Sequence, residues 1–270
     1  MHLSSRVFFS LLVYLAVVPP TFANDRRFSY TYETSVLAPG IRELETWNTF
    51  RTGRHYFFRQ IDQRVEYEFG VANNLMSSVY LNYSSAAADT NRFGAGGDLH
   101  STFSLGFSNE WKYKLMDRVA DPVGLGLYAE FTLDPHASEL EGKILFDKEI
   151  GNLLLAFNGV VANEWITELE NGRIATSSEQ EVELNAGFSY AFNERISAGM
   201  EIRNINELKG GEVEHSPFFA GPIISYATMN WWATITILPQ LTSFAGPAKS
   251  HLDLDEHEKL EARLLLSFHL

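Results

Sequence analysis

Residues 259–270, which end the chain, read KLEARLLLSFHL. Every second residue from Leu260 onward is apolar or small, and this alternation is the pattern of a β-strand. The residues between them include an acid, Glu261, and a base, Arg263, so the two faces of the strand differ in character. Such a strand fits a sheet that has one apolar face and one polar face.

The same alternation continues through most of the chain. It is clearest in QIDQRVEYEF (60–69), VGLGLYAEFT (123–132), ELEGKILFDKEI (139–150) and EQEVELNAGFSY (179–190). Turn-forming stretches such as GVANN (70–74) separate the runs. We therefore predict about twelve strands, near 41–52, 56–69, 75–84, 98–110, 123–133, 139–150, 153–165, 179–191, 196–206, 216–226, 230–241 and 259–270.

The predicted connections alternate between short turns and long polar loops. The long ones are predicted at 84–97, 167–178, 206–216 and 243–258. Short turns at one end and longer loops at the other are typical of an outer-membrane barrel. Two connections depart from this pattern: TGRH (52–55) is short, and NEWKYKLMDRVADP (109–122) is long, with EWKYKLMD as a candidate for one or two turns of helix.

The first residues have the pattern of a secretory signal. MHLSSR carries one cation, Arg6, and is followed by the apolar run VFFSLLVYLAVV and by PPTFA. The run is too short to span a bilayer, and a small residue stands at the expected cleavage site after Ala23. We predict a cleaved signal peptide over 1–23, a periplasmic or lumenal segment over 24–40 and a β-barrel over 41–270; an uncleaved anchor helix is the alternative.

The composition excludes several classes of function. The chain has 34 Asp+Glu against 21 Lys+Arg, a net charge of −13, and no Cys. An acidic chain does not suit nucleic acid, and without Cys there is no disulfide, thiolate nucleophile or thiolate metal site. The stretch HLDLDEHE (251–258) lacks the spacing of a calcium loop. We therefore predict no metal site and no cofactor, with weak cation binding in that stretch as the alternative.

Four stretches of the sequence resemble known protein families. The terminal KLEARLLLSFHL resembles the C-terminal targeting strand of Gram-negative outer-membrane barrels, although it ends on Leu270 where that family has an aromatic residue. YETSVLAPGIRELETW (32–47), HASELEGKILFDKEIG (136–151) and FFAGPIISYATMNWWATITILPQL (218–241) resemble transporter-like barrels, often described as aromatic-compound pathway transporters. The resemblance implies outer-membrane lipid and, through Leu260 to Leu270, the barrel assembly machinery as partners.

Together these patterns predict an all-β fold, a transmembrane antiparallel up-and-down β-barrel with both termini in the periplasm and located in the bacterial outer membrane. A soluble β-sandwich is the alternative, because apolar and polar residues also alternate along its strands. In a barrel the polar face lines the lumen. On that face acids outnumber bases severalfold. The candidate lumen residues are Arg64, Glu66, Glu68, Glu139, Glu141, Lys143, Glu181, Glu183, Arg203 and Arg263.

An acidic lumen predicts passive passage or binding of small solutes, with cations favoured over anions. A plugged structural or sensory barrel without conductance is the alternative. A lipid-active enzyme is a more distant one, because His136 and Ser138 resemble the His-x-Ser pair of outer-membrane phospholipases. The Ser-Asn-Gly continuation of that family is missing, and Asn158 on the next strand has the parity of the lumen. We therefore predict that the protein is not an enzyme.

Overall fold

The computed structural model describes residues 26–89, 97–170, 172–246 and 251–270. The predicted signal peptide lies outside these residues. The described chain forms strand segments and no helix. The segments are β1 (Arg42–Thr52), β2 (Phe58–Ala72), β3 (Leu75–Asp89), β4 (Leu99–Met116), β5 (Gly124–Leu133), β6 (Ala137–Ile150), β7 (Leu153–Glu170), β8 (Arg173–Ala191), β9 (Ile196–Lys209), β10 (Glu212–His215), β11 (Pro217–Ala227), β12 (Trp231–Ser243) and β13 (Leu260–His269).

The strands close into one antiparallel barrel. Neighbours in sequence pair in order, and the first strand pairs with the last through β1 and β13. Both β10 and β11 pair with β9, and they are interrupted only at Ser216, so together they form one strand of the wall. The wall therefore has twelve strands, and the predicted up-and-down barrel is confirmed. Among the described residues, no helix is long and apolar enough to cross a membrane.

Two local predictions were wrong. The stretch EWKYKLMD is not helical, because β4 continues to Met116 with Trp111 and Tyr113 exposed outside and Lys112 buried inside. The predicted loops at 167–178 and 206–216 are hairpins whose strands run on almost to their tips. Apolar residues such as Leu169 and Ile174 are few in these tips, so the alternation that identifies the other strands is weak there.

The apolar face of the wall points outward. Leu81, Phe103, Leu140 and Ile144 are each about half exposed or more. The inward face instead buries acids, and Glu110 is 1% exposed. A soluble sandwich would bury its apolar face, so this arrangement excludes it. A closed barrel with an apolar exterior is the form in which β-strands cross a bilayer, since it leaves no strand edge unpaired in lipid.

The connections define two ends of the barrel. We call the "turn end" the one with the connections 73–74, 117–123, 151–152, 192–195 and 228–230. The opposite "loop end" carries the connections that follow β1, β3, β5, β7, β9 and β12. At the turn end, the backbone N–H groups of Val119 and Ala120 donate to Asp117, and they lower the pKa of this carboxyl group to about 2.

Leu264 tests which face of β13 meets lipid. It is 41% exposed on the outer face, whereas its neighbour Leu265 is fully buried inside. Leu264→Arg is expected to destabilise the barrel by about 2–4 kcal/mol, because a charged side chain near the bilayer midplane loses hydration. Leu270→Arg, at the end of the strand, should cost no more than about 1 kcal/mol. Urea unfolding in lipid vesicles measures both, and equal losses would contradict the assigned face.

Candidate functional site

The N-terminal segment lies inside the barrel. We call residues 26–37 the plug segment. Its apolar side chains Phe28, Tyr30, Tyr32 and Leu37 are all at most 4% exposed, and most of its polar residues are buried as well. Residues 26–37 thus lie within the lumen, whereas residues 38–40 of the predicted N-terminal segment are exposed.

One wall carboxylate holds the middle of the plug segment. Glu201 on β9 accepts hydrogen bonds from the backbone N–H groups of Ser29 (3.1 Å), Tyr30 (2.9 Å) and Thr31 (2.8 Å). It also accepts from the Thr236 hydroxyl at 2.8 Å. The segment has no strand partner for these backbone groups, so the carboxylate satisfies donors that would otherwise be buried without an acceptor.

Further wall residues fix the rest of the segment. Asn158 accepts from the Tyr32 backbone N–H at 2.6 Å and donates to the Tyr32 carbonyl at 2.9 Å. Asp147 accepts from the backbone and the hydroxyl of Thr34, at 2.9 and 2.7 Å. A Cβ at position 187 would lie 2.6 Å from the Phe28 ring, so Gly187 leaves the space that this ring fills. The segment is therefore fitted to the wall along its length.

The two tyrosines of the plug segment contact cations. The Arg263 guanidinium lies 3.7 Å from the centroid of the Tyr30 ring, and Arg203 lies 5.1 Å from it. The Lys143 ammonium lies 4.1 Å from the Tyr32 centroid. Desolvated cation–π contacts of this kind are each worth about 2 kcal/mol. Three of the bases predicted to face a solute thus bind the plug segment.

The register of the wall sets carboxylates side by side near the loop end. In one row Glu139, Glu164 and Glu179 lie directly opposite one another on β6, β7 and β8. A second row runs across β4 to β9, interrupted by Ala162, and consists of Glu110, Glu130, Glu141, Glu181 and Glu207. Like charges directly opposite one another on a sheet destabilise it. These rows therefore cost stability, which indicates that they serve a function.

Wall bases neutralise only part of this charge. The Lys143 ammonium lies 2.9 Å from Glu141, and the Arg64 guanidinium lies 3.3 Å from Glu130. Arg203 pairs with Glu183 at 2.6 Å. Every base predicted for the lumen therefore contacts an acid, an aromatic ring or both, and the carboxyl groups of the rows outnumber the bases paired with them.

Two cavities occupy the loop-end half of the barrel. The inner cavity, of about 400 Å³, lies against Tyr30 and Tyr32 of the plug segment. The mouth cavity, of about 570 Å³, is bordered by residues near the tips of β8, β9 and β10. Glu139, Glu141 and Glu181 line both, so the cavities meet at these three carboxylates. A solute that enters from the loop end passes them before it reaches the plug segment.

The cavity at the turn end is lined mainly by bases. It has a volume of about 530 Å³, and its charged lining residues are Arg26, Arg27, Arg118 and Arg195, with one acid, Glu194. Among the described residues, it has no lining residue in common with the inner cavity. The plug segment therefore divides an acidic loop-end space from a basic turn-end space.

The candidate lumen residues separate into two groups. Glu66 and Glu68 lie deep in the wall, opposite Glu45 and Glu43, and line neither loop-end cavity. The remaining ones line the inner cavity: Arg64, Glu139, Glu141, Lys143, Glu181, Glu183, Arg203 and Arg263. Glu201, Asn158 and Asp147, which form the hydrogen bonds to the plug segment, are not among these candidates. Their inward parity in the strand pattern was the one available signal.

The His136/Ser138 pair lacks the parts of a hydrolase site. His136 is exposed at the loop end. Asn158, the candidate third residue, is fully buried inside the barrel and bonded to the plug segment. A Ser nucleophile needs a His base that a third group orients. Asn158 cannot orient a base on the outer wall.

Solved structures of the same fold include outer-membrane porins and channels. The chain matches the NanC porin with a TM-score of 0.54 and 11% identity, over 84% of this chain and 100% of that one. It matches the COG4313 outer membrane channel from Pseudomonas putida F1 with a TM-score of 0.60 and 9% identity, over 88% of this chain and 98% of that one. It matches the KdgM porin in complex with disordered oligogalacturonate with a TM-score of 0.52 and 9% identity, over 84% of this chain and 98% of that one.

Curated protein sequences contain no match to the chain. A barrel with an apolar outer wall that matches these porins belongs to the bacterial outer membrane, which confirms the predicted location. Residues 20–270, almost the whole chain, match the model of the family described as "Family of unknown function (DUF6662)". The chain therefore belongs to this family, DUF6662.

Proposed function

We propose that the protein is a gated outer-membrane channel that admits small cationic or weakly polar solutes from the loop end. The observation that carries this proposal is the meeting of the two loop-end cavities at Glu139, Glu141 and Glu181. Carboxylates in a narrow, low-dielectric passage attract cations and repel anions. The aromatic-compound transporter type stays a prediction from the sequence resemblance.

The plug segment is the gate in this proposal. It lies between the acidic and basic spaces. Its contacts are hydrogen bonds, ion pairs, cation–π contacts and ring packing, all of which can form and break without unfolding the wall. The loop end faces the outside and the turn end faces the periplasm, as is usual for barrels of this class. Displacing the plug segment toward the turn end joins the two spaces into one path.

Planar-bilayer recording of the refolded chain 24–270 tests this function. In a KCl gradient, brief openings should reverse at a potential that shows preference for K⁺ over Cl⁻. The preference should weaken at 1 M salt, because the Debye length falls from about 10 Å at 0.1 M to about 3 Å. A preference for Cl⁻ would contradict the acidic path. A folded barrel that never conducts, even after the plug segment is removed, would support the structural or sensory alternative.

A further inference from the structure

Three ligand-type side chains meet at the loop end. His215 ends β10, and Asp253 and His257 belong to the connection between β12 and β13. Their donor atoms all lie within 4.8 Å of one another. The His215 Nδ1 is 2.6 Å from Asp253 Oδ2. The His257 Nε2 is 3.2 Å from Oε1 of a second carboxylate, Glu207.

The cluster is buried and incompletely satisfied. Asp253 is 1% exposed and His257 is 8% exposed. Within the described chain, Asp253 Oδ1 and His257 Nε2 make no hydrogen bond of acceptable geometry. A buried polar atom without a partner is costly, and a bound ion is one of the few explanations for it in a folded protein.

The fold positions the cluster from several sides. The side chain of Gln240 on β12 accepts from the Asp253 backbone N–H at 2.7 Å and donates to the Asp253 carbonyl at 3.0 Å. A Cβ at position 246 would lie 2.8 Å from Asp253 Oδ2, so Gly246 leaves room for the carboxylate. His215 lies directly opposite Glu207 in the register of β9 and β10. These features fix the carboxylate and bring the fourth donor into reach.

We propose that His215, Asp253 and His257, with Glu207 as fourth ligand, bind a divalent transition-metal ion, for which Zn²⁺ fits best. Two imidazole nitrogens and two carboxylate oxygens are donors that Zn²⁺ accepts at about 2.0–2.2 Å. Donors on a tetrahedral ion are then about 3.4 Å apart, so the donors of His215, Asp253 and His257, which lie within 4.8 Å of one another, reach this spacing with movements of about 1 Å. Glu207 already lies 3.2 Å from the His257 donor. The ion fastens the β12–β13 connection to the β9–β10 hairpin at the rim of the mouth cavity, which Glu207 and His215 line.

Metal titration of the refolded chain in detergent micelles tests the site. Calorimetry should show one Zn²⁺ bound per chain, and Co²⁺ should give the visible absorption of a four-coordinate ion. His215→Gln and His257→Gln should each weaken binding by at least about tenfold, and Gln240→Ala, which frees Asp253, by about tenfold.

Two other histidines at the loop end, His55 and His251, serve as matched controls. The Nδ1 of His55 lies 2.6 Å from Asp255 Oδ1, but both side chains are partly exposed, and no second His joins them in the described chain. His55→Gln and the exposed His251→Gln should therefore leave Zn²⁺ affinity unchanged. The proposal is overturned if binding does not saturate at one ion, or if the control variants lose as much affinity as His215→Gln.

A second measurement needs no variant of the cluster. Zn²⁺ should slow protease cleavage of the β12–β13 connection in the unmodified chain, and EDTA should restore the cleavage rate. Cleavage that does not respond to Zn²⁺ would also overturn the proposal. Channel recordings with and without Zn²⁺ are separate from this result, so failure of the site and failure of the channel function are distinguishable.

Discussion

Glu201→Ala is expected to raise the open probability of the channel by at least about tenfold. The carboxylate of Glu201 holds three consecutive backbone N–H groups of the plug segment. Hydrogen bonds to a charged group each contribute about 1.5–3 kcal/mol, and tenfold corresponds to about 1.4 kcal/mol. Loss of these bonds therefore favours the displaced segment. Single-channel recording of the refolded chain measures the change.

Glu212→Ala is the control for this experiment. Glu212 is an exposed carboxylate at the start of β10, at the loop end of the barrel, and it lines none of the three lumenal cavities described above. Its removal changes the net charge by the same amount and should leave the open probability unchanged. Heat-modifiable gel mobility confirms that both variants fold. If folded Glu201→Ala opens no more often than the unmodified chain, the plug segment is not the gate.

Glu139→Gln combined with Glu181→Gln is expected to remove most of the preference for K⁺. Both residues lie where the inner and mouth cavities meet, so their charge acts on every ion that passes. Gln keeps the size of the side chain and removes the charge. The reversal potential in a KCl gradient should move toward zero, and more at 0.1 M than at 1 M salt, since screening already weakens the field at high salt.

Glu66→Gln with Glu68→Gln is the matched comparison. These two carboxylates also face inward, but they line neither loop-end cavity. Their removal should shift the reversal potential far less than the first pair. Equal shifts for the two pairs would mean that selectivity comes from the net charge of the barrel and not from the carboxylates at the junction of the cavities.

Alternation along the strands was enough to predict the barrel and its two faces. It identified the inward acids of β6 and β8 because period two needs no knowledge of the partner strand. It could not identify which carboxylates lie opposite one another. That register depends on turn lengths and on irregularities such as the shift between Gly70 and Ala72.

The plug segment and the His215 cluster were outside the reach of the sequence for a different reason. In residues 26–37 the aromatic Phe28, Tyr30 and Tyr32 alternate with polar residues, but this pattern does not show that both sets are buried inside the barrel. Their contacts are with residues such as Asn158 and Glu201, far along the chain. His215 lies in β10 and His257 in the connection between β12 and β13, and the pairing of β11 with β12 brings the two together. The candidate helix over 110–117 does not form, because this charged stretch pairs as a strand with its two neighbours, β3 and β5.

The most direct test of the central claim is to tether the plug segment to the wall. The chain has no Cys, so Ser29→Cys with Thr236→Cys introduces a single pair. The two hydroxyl oxygens are 2.7 Å apart, one on the plug segment and one on β12. Oxidation should form a disulfide in the folded barrel and abolish the K⁺-selective openings, and reduction should restore them. Openings that persist unchanged in the fully cross-linked protein would contradict the account, because passage would then not require the plug segment to move.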